Sequence, residues 1–157
     1  MARKVAQECS GLRIRQASRL LTRIYDDSLR SLGILESQFS VLVGVALFGE
    51  KGAPMGALAG KLVMDPTTLS RNVVPLEKAG LLRVARSADD ARARVVVLTR
   101  AGERMIEAAY PLWEQAQDRV RHTLGGARFD TLRSHLSHVV GVADKLEVGH
   151  PKTSSTA

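Results

Sequence analysis

Four polar side chains that can contact DNA bases stand close together in the sequence: Thr67, Thr68, Arg71 and Asn72. An arginine can donate two hydrogen bonds to guanine, an asparagine can pair with adenine, and a threonine methyl can meet the methyl group of thymine. Such side chains read DNA when the N-terminal half of a helix presents them on one outward face. The residue types therefore predict a DNA contact; the alternative is an ordinary solvated helix face.

The stretch that carries these residues has the start and end signals of a helix. Asp65 is an N-cap candidate, Pro66 suits the first helical position, and Gly80 suits the position just past the end. On a helical wheel, the side opposite the outward polar residues is apolar and consists of Leu69, Val73 and Leu76. We therefore expect this helix to pack on a core through one side and to expose the other.

A charged turn between two β-rich runs follows this helix. The runs are LLRVARS, from residue 81, and ARVVVLT, from residue 93, and their spacing predicts a β-hairpin. Arg92 and Arg94 lie at or near its tip, where an arginine can enter a narrow minor groove of DNA. Asp90 can hold Arg92 in place. The alternative is a solvated turn whose charges serve solubility.

The remaining sequence predicts further helices on both sides of this unit. Apolar residues recur at helical spacing in segments that end at glycine or proline signals, and Thr99 is an N-cap candidate for a long helix. The predicted helices span residues 12–32, 36–50, 55–63, about 100–124 and about 128–146. Helices followed by a hairpin and two more helices predict a mainly α fold with a small β-hairpin wing, that is, a winged helix-turn-helix flanked by further helices.

The composition predicts one compact domain, or two small lobes, with a helical core. Of the 157 residues, 45% are hydrophobic and only 4% are aromatic, so the core must consist mainly of leucine, valine and alanine. The formal net charge is +7, and all of the excess lies in the first 100 residues. Basic charge favours an anionic partner, of which nucleic acid is the commonest, although it also serves solubility.

Several classes of protein are disfavoured. The sequence has no P-loop, no G-x-S-x-G and no cluster of ligands at metal-binding spacing, so it predicts no enzyme, no cofactor and no metal. The single cysteine excludes an intrachain disulfide, which fits a reducing compartment. The N-terminus lacks the apolar segment of a signal peptide, and the longest apolar run is too short to span a bilayer. We therefore expect a cytoplasmic protein without a membrane partner.

The sequence resembles MarR-type transcriptional regulators across nearly the whole chain. The resemblance lies in LRIRQASRLLTRIYDDSLRSLGI, QFSVL, LAGKLVMDPTTLSRNVVPLEKAGLL, DDARARVVVLT and RAGERM. It implies a homodimer, more often a repressor than an activator, in which each protomer reads half of a near-palindromic operator in double-stranded DNA. It also implies that residues 66–72 face the major groove and that Arg92 enters the minor groove. One departure is Ala91, where many members of the family carry a basic residue.

The resemblance divides the chain into regions with different roles. Residues 1–35 and 101–148 would supply dimerisation helices, residues 36–100 would form the winged helix-turn-helix DNA-binding region, and residues 149–157 would be a disordered tail. The neutral charge balance beyond residue 100 and the basic first 100 residues agree with this division.

Two further candidate sites remain open. Tyr25, Phe48 and Trp113 are candidates for a pocket that binds a small aromatic or anionic effector, although aromatic side chains more often belong to a core. Cys9 is a candidate for a redox-sensing thiol, the alternative being an inert thiol near the terminus. A protein-interaction module that keeps the winged fold without reading DNA is the alternative to a DNA-binding regulator.

Overall fold

The computed structural model describes residues 1–86 and 93–142, which form seven α-helices and three short strands. The helices are α1 (Ala2–Glu8), α2 (Ser10–Leu29), α3 (Glu36–Ala46), α4 (Met55–Leu62), α5 (Pro66–Lys78), α6 (Arg100–Leu124) and α7 (Gly126–Gly141), with a 3₁₀ turn at Arg30–Leu32. The strands are β1 (Ala53–Pro54), β2 (Leu82–Arg86) and β3 (Arg94–Leu98). The chain divides into two compact units, residues 1–116 and 117–157. The predicted mainly α fold with a β-hairpin is confirmed.

The boundaries differ from the predicted ones by a few residues in several places. Helix α1 was not predicted, α3 ends four residues before the expected Glu50, and α7 begins two residues before the expected Arg128. The hairpin tip at residues 87–92 and the chain after residue 142 lie outside the described residues. The expected end of the last helix at Leu146 and the expected disordered tail at 149–157 therefore stay predictions.

The sheet contains a third strand that the sequence did not predict. Strand β3 lies in the middle and pairs antiparallel with β2 on one side and with β1 on the other, so that Val96 faces Val84 and Ala53. Strand β1 has only two residues, one of them Pro54, and a proline fits an edge strand because it cannot donate to a ladder of hydrogen bonds. So short a strand leaves no alternating pattern in the sequence.

The core of the first unit forms around α3. The helix is apolar on most sides, and Val41, Leu42 and Val45 are fully buried. Its neighbours α2, α4, α5 and β3 each bring apolar side chains to the same cluster: Leu29, Leu58, Leu69, Val73, Leu76 and Val96. Burying one such side chain contributes roughly 1.5–3 kcal/mol, so this cluster supplies much of the stability that holds the winged unit together.

Helix α5 begins and ends as its sequence predicts. Asp65 is the N-cap, and its Oδ1 accepts a hydrogen bond from the Thr68 N–H at 2.9 Å. Pro66 occupies the first turn, and the helix continues past an exposed Pro75 to Lys78. Exposure makes this interior proline tolerable, because the carbonyl that loses its helical partner can bond to water.

Among the described residues no single helix is long and apolar enough to cross a membrane. Helix α3 is apolar but has only 11 residues, and the longer α2 carries charged side chains. The segments Ser10–Leu32 and Glu36–Ala46 meet the length and composition required only when joined across a 79° bend.

We expect Gly102→Ala to destabilise the protein. Gly102 is buried at the start of α6, where a Cβ would collide with the Leu81 carbonyl oxygen and lie 2.7 Å from Leu98 Cδ1. The shift needed to relieve this overlap should lower the free energy of unfolding by about 1–3 kcal/mol, measured by chemical denaturation. Gly60→Ala in α4 is the matched control, because its Cβ would meet nothing within 4 Å. A Gly102→Ala protein as stable as wild type would contradict the close approach.

We expect Asp65→Ala to destabilise the protein at neutral pH and to matter less in acid. The hydrogen bonds from Thr68, first the side-chain and then the backbone bond, lower the pKa of the Asp65 carboxyl. Its stabilisation is therefore present above the unfolded-state pKa of about 3.9 and is lost as the pH falls through the lower folded-state pKa. The difference in Tm between wild type and variant should shrink below about pH 4. Asp118→Ala, at an exposed acid on α6, should show no such convergence.

Candidate nucleic-acid interface

The outward face of α5 carries the polar side chains predicted to read DNA. Thr67, Thr68 and Arg71 are exposed, and Asn72 is half-buried at the edge of this face. The opposite side of the helix is fixed in the core through Leu69, Val73 and Leu76. The fold therefore brings all four predicted residues together in the N-terminal half of one helix, and their contact with DNA stays a prediction.

The amide of Asn72 is held from two sides. Ser37 Oγ on α3 donates to Asn72 Oδ1 at 2.8 Å, and Asn72 Nδ2 donates to the Thr68 carbonyl oxygen at 2.9 Å. Because the amide nitrogen carries two hydrogens, one of them stays free for another acceptor. The sequence did not identify Ser37, since this bond joins residues 35 positions apart and no local pattern reports it. Asn72 thus orients α5 against α3, whatever it contacts outside.

Two arginines face each other where the wing strands approach the hairpin tip. Arg86 ends β2, Arg94 begins β3, and the antiparallel register pairs them directly. Like charges placed opposite each other destabilise a strand pair. Both are exposed, and neither forms an ion pair with a residue in the described part of the chain, so an anion bound here would relieve the repulsion. Asp90 and Arg92 lie outside the described residues, and their predicted roles stay predictions.

A groove of about 370 Å³ lies between α5 and the wing strands and is bordered by both of these arginines. On its α5 side, Glu77 Oε1 accepts a hydrogen bond from the Val84 N–H at 2.9 Å. This bond ties the last turn of α5 to β2. This bond and the packing of α5 against β2 hold the helix at a defined position relative to that strand.

A separate cleft of about 580 Å³ opens beside α3. Its lining includes two of the three predicted effector-pocket residues, Tyr25 and Trp113. The third, Phe48, lies outside the lining; it packs against the core, and the Lys61 ammonium lies 6.0 Å from the centre of its ring. The cleft also takes in Glu36, a carboxylate that the sequence did not single out.

The pKa values of both tyrosines in the cleft are raised, which favours the protonated phenol. Burial, and then the charge of Glu36, raise the pKa of Tyr25. The hydrogen bond that Tyr110 donates to Glu114 at 3.2 Å raises the pKa of Tyr110, and its ring centre lies 5.8 Å from that of Trp113. At neutral pH the phenols are therefore neutral hydrogen-bonding groups on an aromatic wall.

Cys9, the candidate redox residue, is the N-cap of α2. Its half-buried Sγ accepts a hydrogen bond from the Leu12 N–H at 3.4 Å, so the thiol has a structural role at this helix start. The redox role considered for Cys9 stays a prediction.

Within residues 1–86 and 93–142, no three His, Cys, Asp or Glu side chains are grouped so that they could hold a metal ion. His135 and His138 are both exposed on α7, and no third ligand in the described part of the chain joins them.

Neither a protein-family model nor a curated protein matches the chain. Among solved structures, it is similar to the M. tuberculosis transcriptional regulator MosR in complex with DNA, with 31% identity and a TM-score of 0.77 over 90% of this chain and 100% of that chain. A probable transcriptional regulator from Pseudomonas aeruginosa has 26% identity and a TM-score of 0.75, over 85% of this chain and 98% of its own. MarR from E. coli, at 23% identity and a TM-score of 0.68 over 83% and 96%, shares the fold.

These neighbours are transcriptional regulators and not enzymes, in agreement with the sequence prediction. The described helices and strands also match the winged-helix architecture of the neighbours. With 31% identity to MosR across 90% of its own length, the chain belongs to the MarR family of winged helix-turn-helix transcriptional regulators.

Proposed function

We propose that this protein is a homodimeric DNA-binding repressor in which α5 and the wing of each protomer read half of a near-palindromic operator, and that a small molecule in the cleft relieves repression. The observation that carries the proposal is the exposed face of α5, where Thr67, Thr68 and Arg71 stand clear of the core. MosR, which is similar over 90% of this chain, has been solved in complex with DNA.

The charge around this face supports a polyanionic partner. Arg83, Arg86 and Arg94 on the wing strands are exposed, and none of them is paired with an acid within residues 1–86 and 93–142. Unpaired basic groups beside a polar helix suit phosphate contacts, which position a protein on the duplex, while the helix contacts bases. Arg92, between the two strands, is proposed to enter the minor groove.

The apolar surfaces of the terminal helices support a second copy of this chain as a partner. On α7, four exposed apolar side chains recur at i, i+4, i+7 and i+8: Leu132, Leu136, Val139 and Val140. On α2, Ile14 and Leu20 are also about half exposed. A contiguous apolar face of this kind is typical of an interaction surface. We therefore assign residues 1–35 and 101–148 to dimerisation and residues 36–100 to DNA binding.

The position of α3 supports control by a ligand. One side of α3 lines the cleft through Glu36 and Ser40, and the adjacent Ser37 bonds to Asn72 on α5. A ligand that moves α3 would therefore act on the hydrogen bond that orients the helix proposed to read DNA. Such a ligand would shift α3 from one position to another if it bound the protein more tightly in the second position than in the first.

We expect Arg71→Ala to weaken operator binding by about 1–3 kcal/mol, which is about 5- to 150-fold, and to reduce the preference for the operator over a scrambled duplex. Fluorescence anisotropy with DNA from upstream of the protein's own gene, over a series of salt concentrations, measures both quantities. Arg119→Ala on α6 removes the same charge from an exposed site and is the control. If Arg71→Ala leaves the preference between the two duplexes unchanged, α5 does not read bases through this residue.

We expect Leu136→Asp to shift the protein from dimer to monomer at micromolar concentration, because a charge would be buried without a partner in the apolar interface. Size-exclusion chromatography with light scattering measures the mass. Ser134→Asp is the matched control, since residue 134 lies on the opposite side of α7. A monomeric wild type, or a dimer that survives Leu136→Asp unchanged, would contradict the assignment of α7.

A further inference from the structure

The walls of the cleft are largely apolar, and its volume of about 580 Å³ suits a compact organic ligand. Phe39, Val43 and Leu62 contribute aliphatic and aromatic surface. The rings of Tyr25, Tyr110 and Trp113 supply further aromatic surface from α2 and α6. Aromatic faces attract a cation electrostatically, and the attraction grows where water is displaced.

The lining of the cleft contains one carboxylate, that of Glu36, and one ammonium, that of Lys61. Glu36 is half-buried, and its Oε1 accepts a hydrogen bond from the Ser40 hydroxyl at 2.8 Å, which holds the carboxylate in place. No lysine, arginine or histidine in the described part of the chain forms an ion pair with Glu36. A partly desolvated carboxylate without a cationic partner is electrostatically incomplete, and a cationic ligand would complete it.

Lys61 forms no ion pair with Glu36. It borders the cleft but is exposed, and its ammonium lies 6.0 Å from the ring centre of Phe48, which is outside the lining. The aliphatic stem of a lysine can line an apolar surface while its charge stays in water. An anionic ligand would therefore meet the Glu36 carboxylate in the cleft, while the Lys61 ammonium lies at the exposed border, near the ring of Phe48.

We infer that the cleft binds a hydrophobic organic cation, a quaternary or protonated amine whose charge lies beside Glu36 and whose apolar body packs against Trp113 and the tyrosines. The neutral phenol of Tyr25 fits this arrangement, because it adds no second negative charge beside Glu36. That such a cation acts as the effector rests on the proposed function; that it binds here does not.

The test uses Trp113 fluorescence, which reports on this cleft alone because the chain has one tryptophan. Three probes share one ring and differ in charge: benzyltrimethylammonium, benzyl alcohol and benzoate. We expect saturable quenching by benzyltrimethylammonium with at least about tenfold tighter binding than benzoate, a factor equal to about 1.4 kcal/mol. Tighter binding of benzoate, or equal binding of all three probes, to the wild-type protein would overturn the inference.

Two variants assign the selectivity to one side chain. Glu36→Gln keeps the shape and removes the charge, so it should weaken benzyltrimethylammonium about tenfold and leave benzyl alcohol unchanged. Lys61→Met removes the other charge at the cleft and should leave the preference for the cation intact. Unchanged cation affinity in Glu36→Gln would overturn the role of Glu36, and the wild-type comparison decides the matter even if a variant does not fold.

The binding assay contains no DNA, so its result is independent of the proposed function. If the protein fails to bind its operator but retains a Glu36-dependent preference for the cation, the inference stands and the repressor proposal fails. If the operator is bound but the cleft prefers benzoate, the repressor proposal stands and the inference fails. If benzyltrimethylammonium released operator DNA from the wild-type protein but not from Glu36→Gln, cation binding in the cleft would be linked to the proposed repression.

Discussion

The burial of α3 is the constraint on which the rest of the first unit depends. Val41, Leu42 and Val45 have no exposed surface, and helices α2, α4 and α5 and strand β3 pack around them. A helix that is apolar on most sides can be stable in water only if other elements cover it. The elements that cover α3 are therefore held at fixed positions, and α5 is one of them. The polar face of α5 points outward because its apolar face packs in the core around α3.

The same helix connects the two candidate sites. Its few polar residues lie near the N-terminus, where Ser37 bonds to Asn72 and the adjacent Glu36 lines the cleft. Asp26 on α2 accepts a hydrogen bond from the Glu36 N–H at 2.7 Å and so fixes this end of α3. A buried helix moves as a packed body and not residue by residue. A displacement of α3 caused by a ligand in the cleft would for that reason also displace Ser37, which bonds to Asn72 on α5.

The wing contains a pair of like charges that does not favour the stability of the free protein. Arg86 and Arg94 oppose each other across the strands, an arrangement that stability alone would disfavour. The hydrogen bonds of the hairpin and the buried Val95 and Val96 hold the strands together in spite of it. Within residues 1–86 and 93–142 neither arginine has an acidic partner, so an anion bound at the wing would relieve this repulsion.

Periodicity and end signals in the sequence were sufficient for the main helices, the hairpin and the outward face of α5. Asp65, Pro66 and Thr99 mark helix starts through interactions within a few residues of the chain. The spacing of apolar residues alone decides which side of α5 is apolar. The two-residue strand β1, the Ser37–Asn72 bond and the cleft around Glu36 were decided by the tertiary structure. Phe48 shows the limit most clearly, because its residue type suited a pocket but the packing placed it elsewhere. Local patterns determine which faces must be buried, whereas contacts between residues far apart in the chain determine which groups meet in the space that remains.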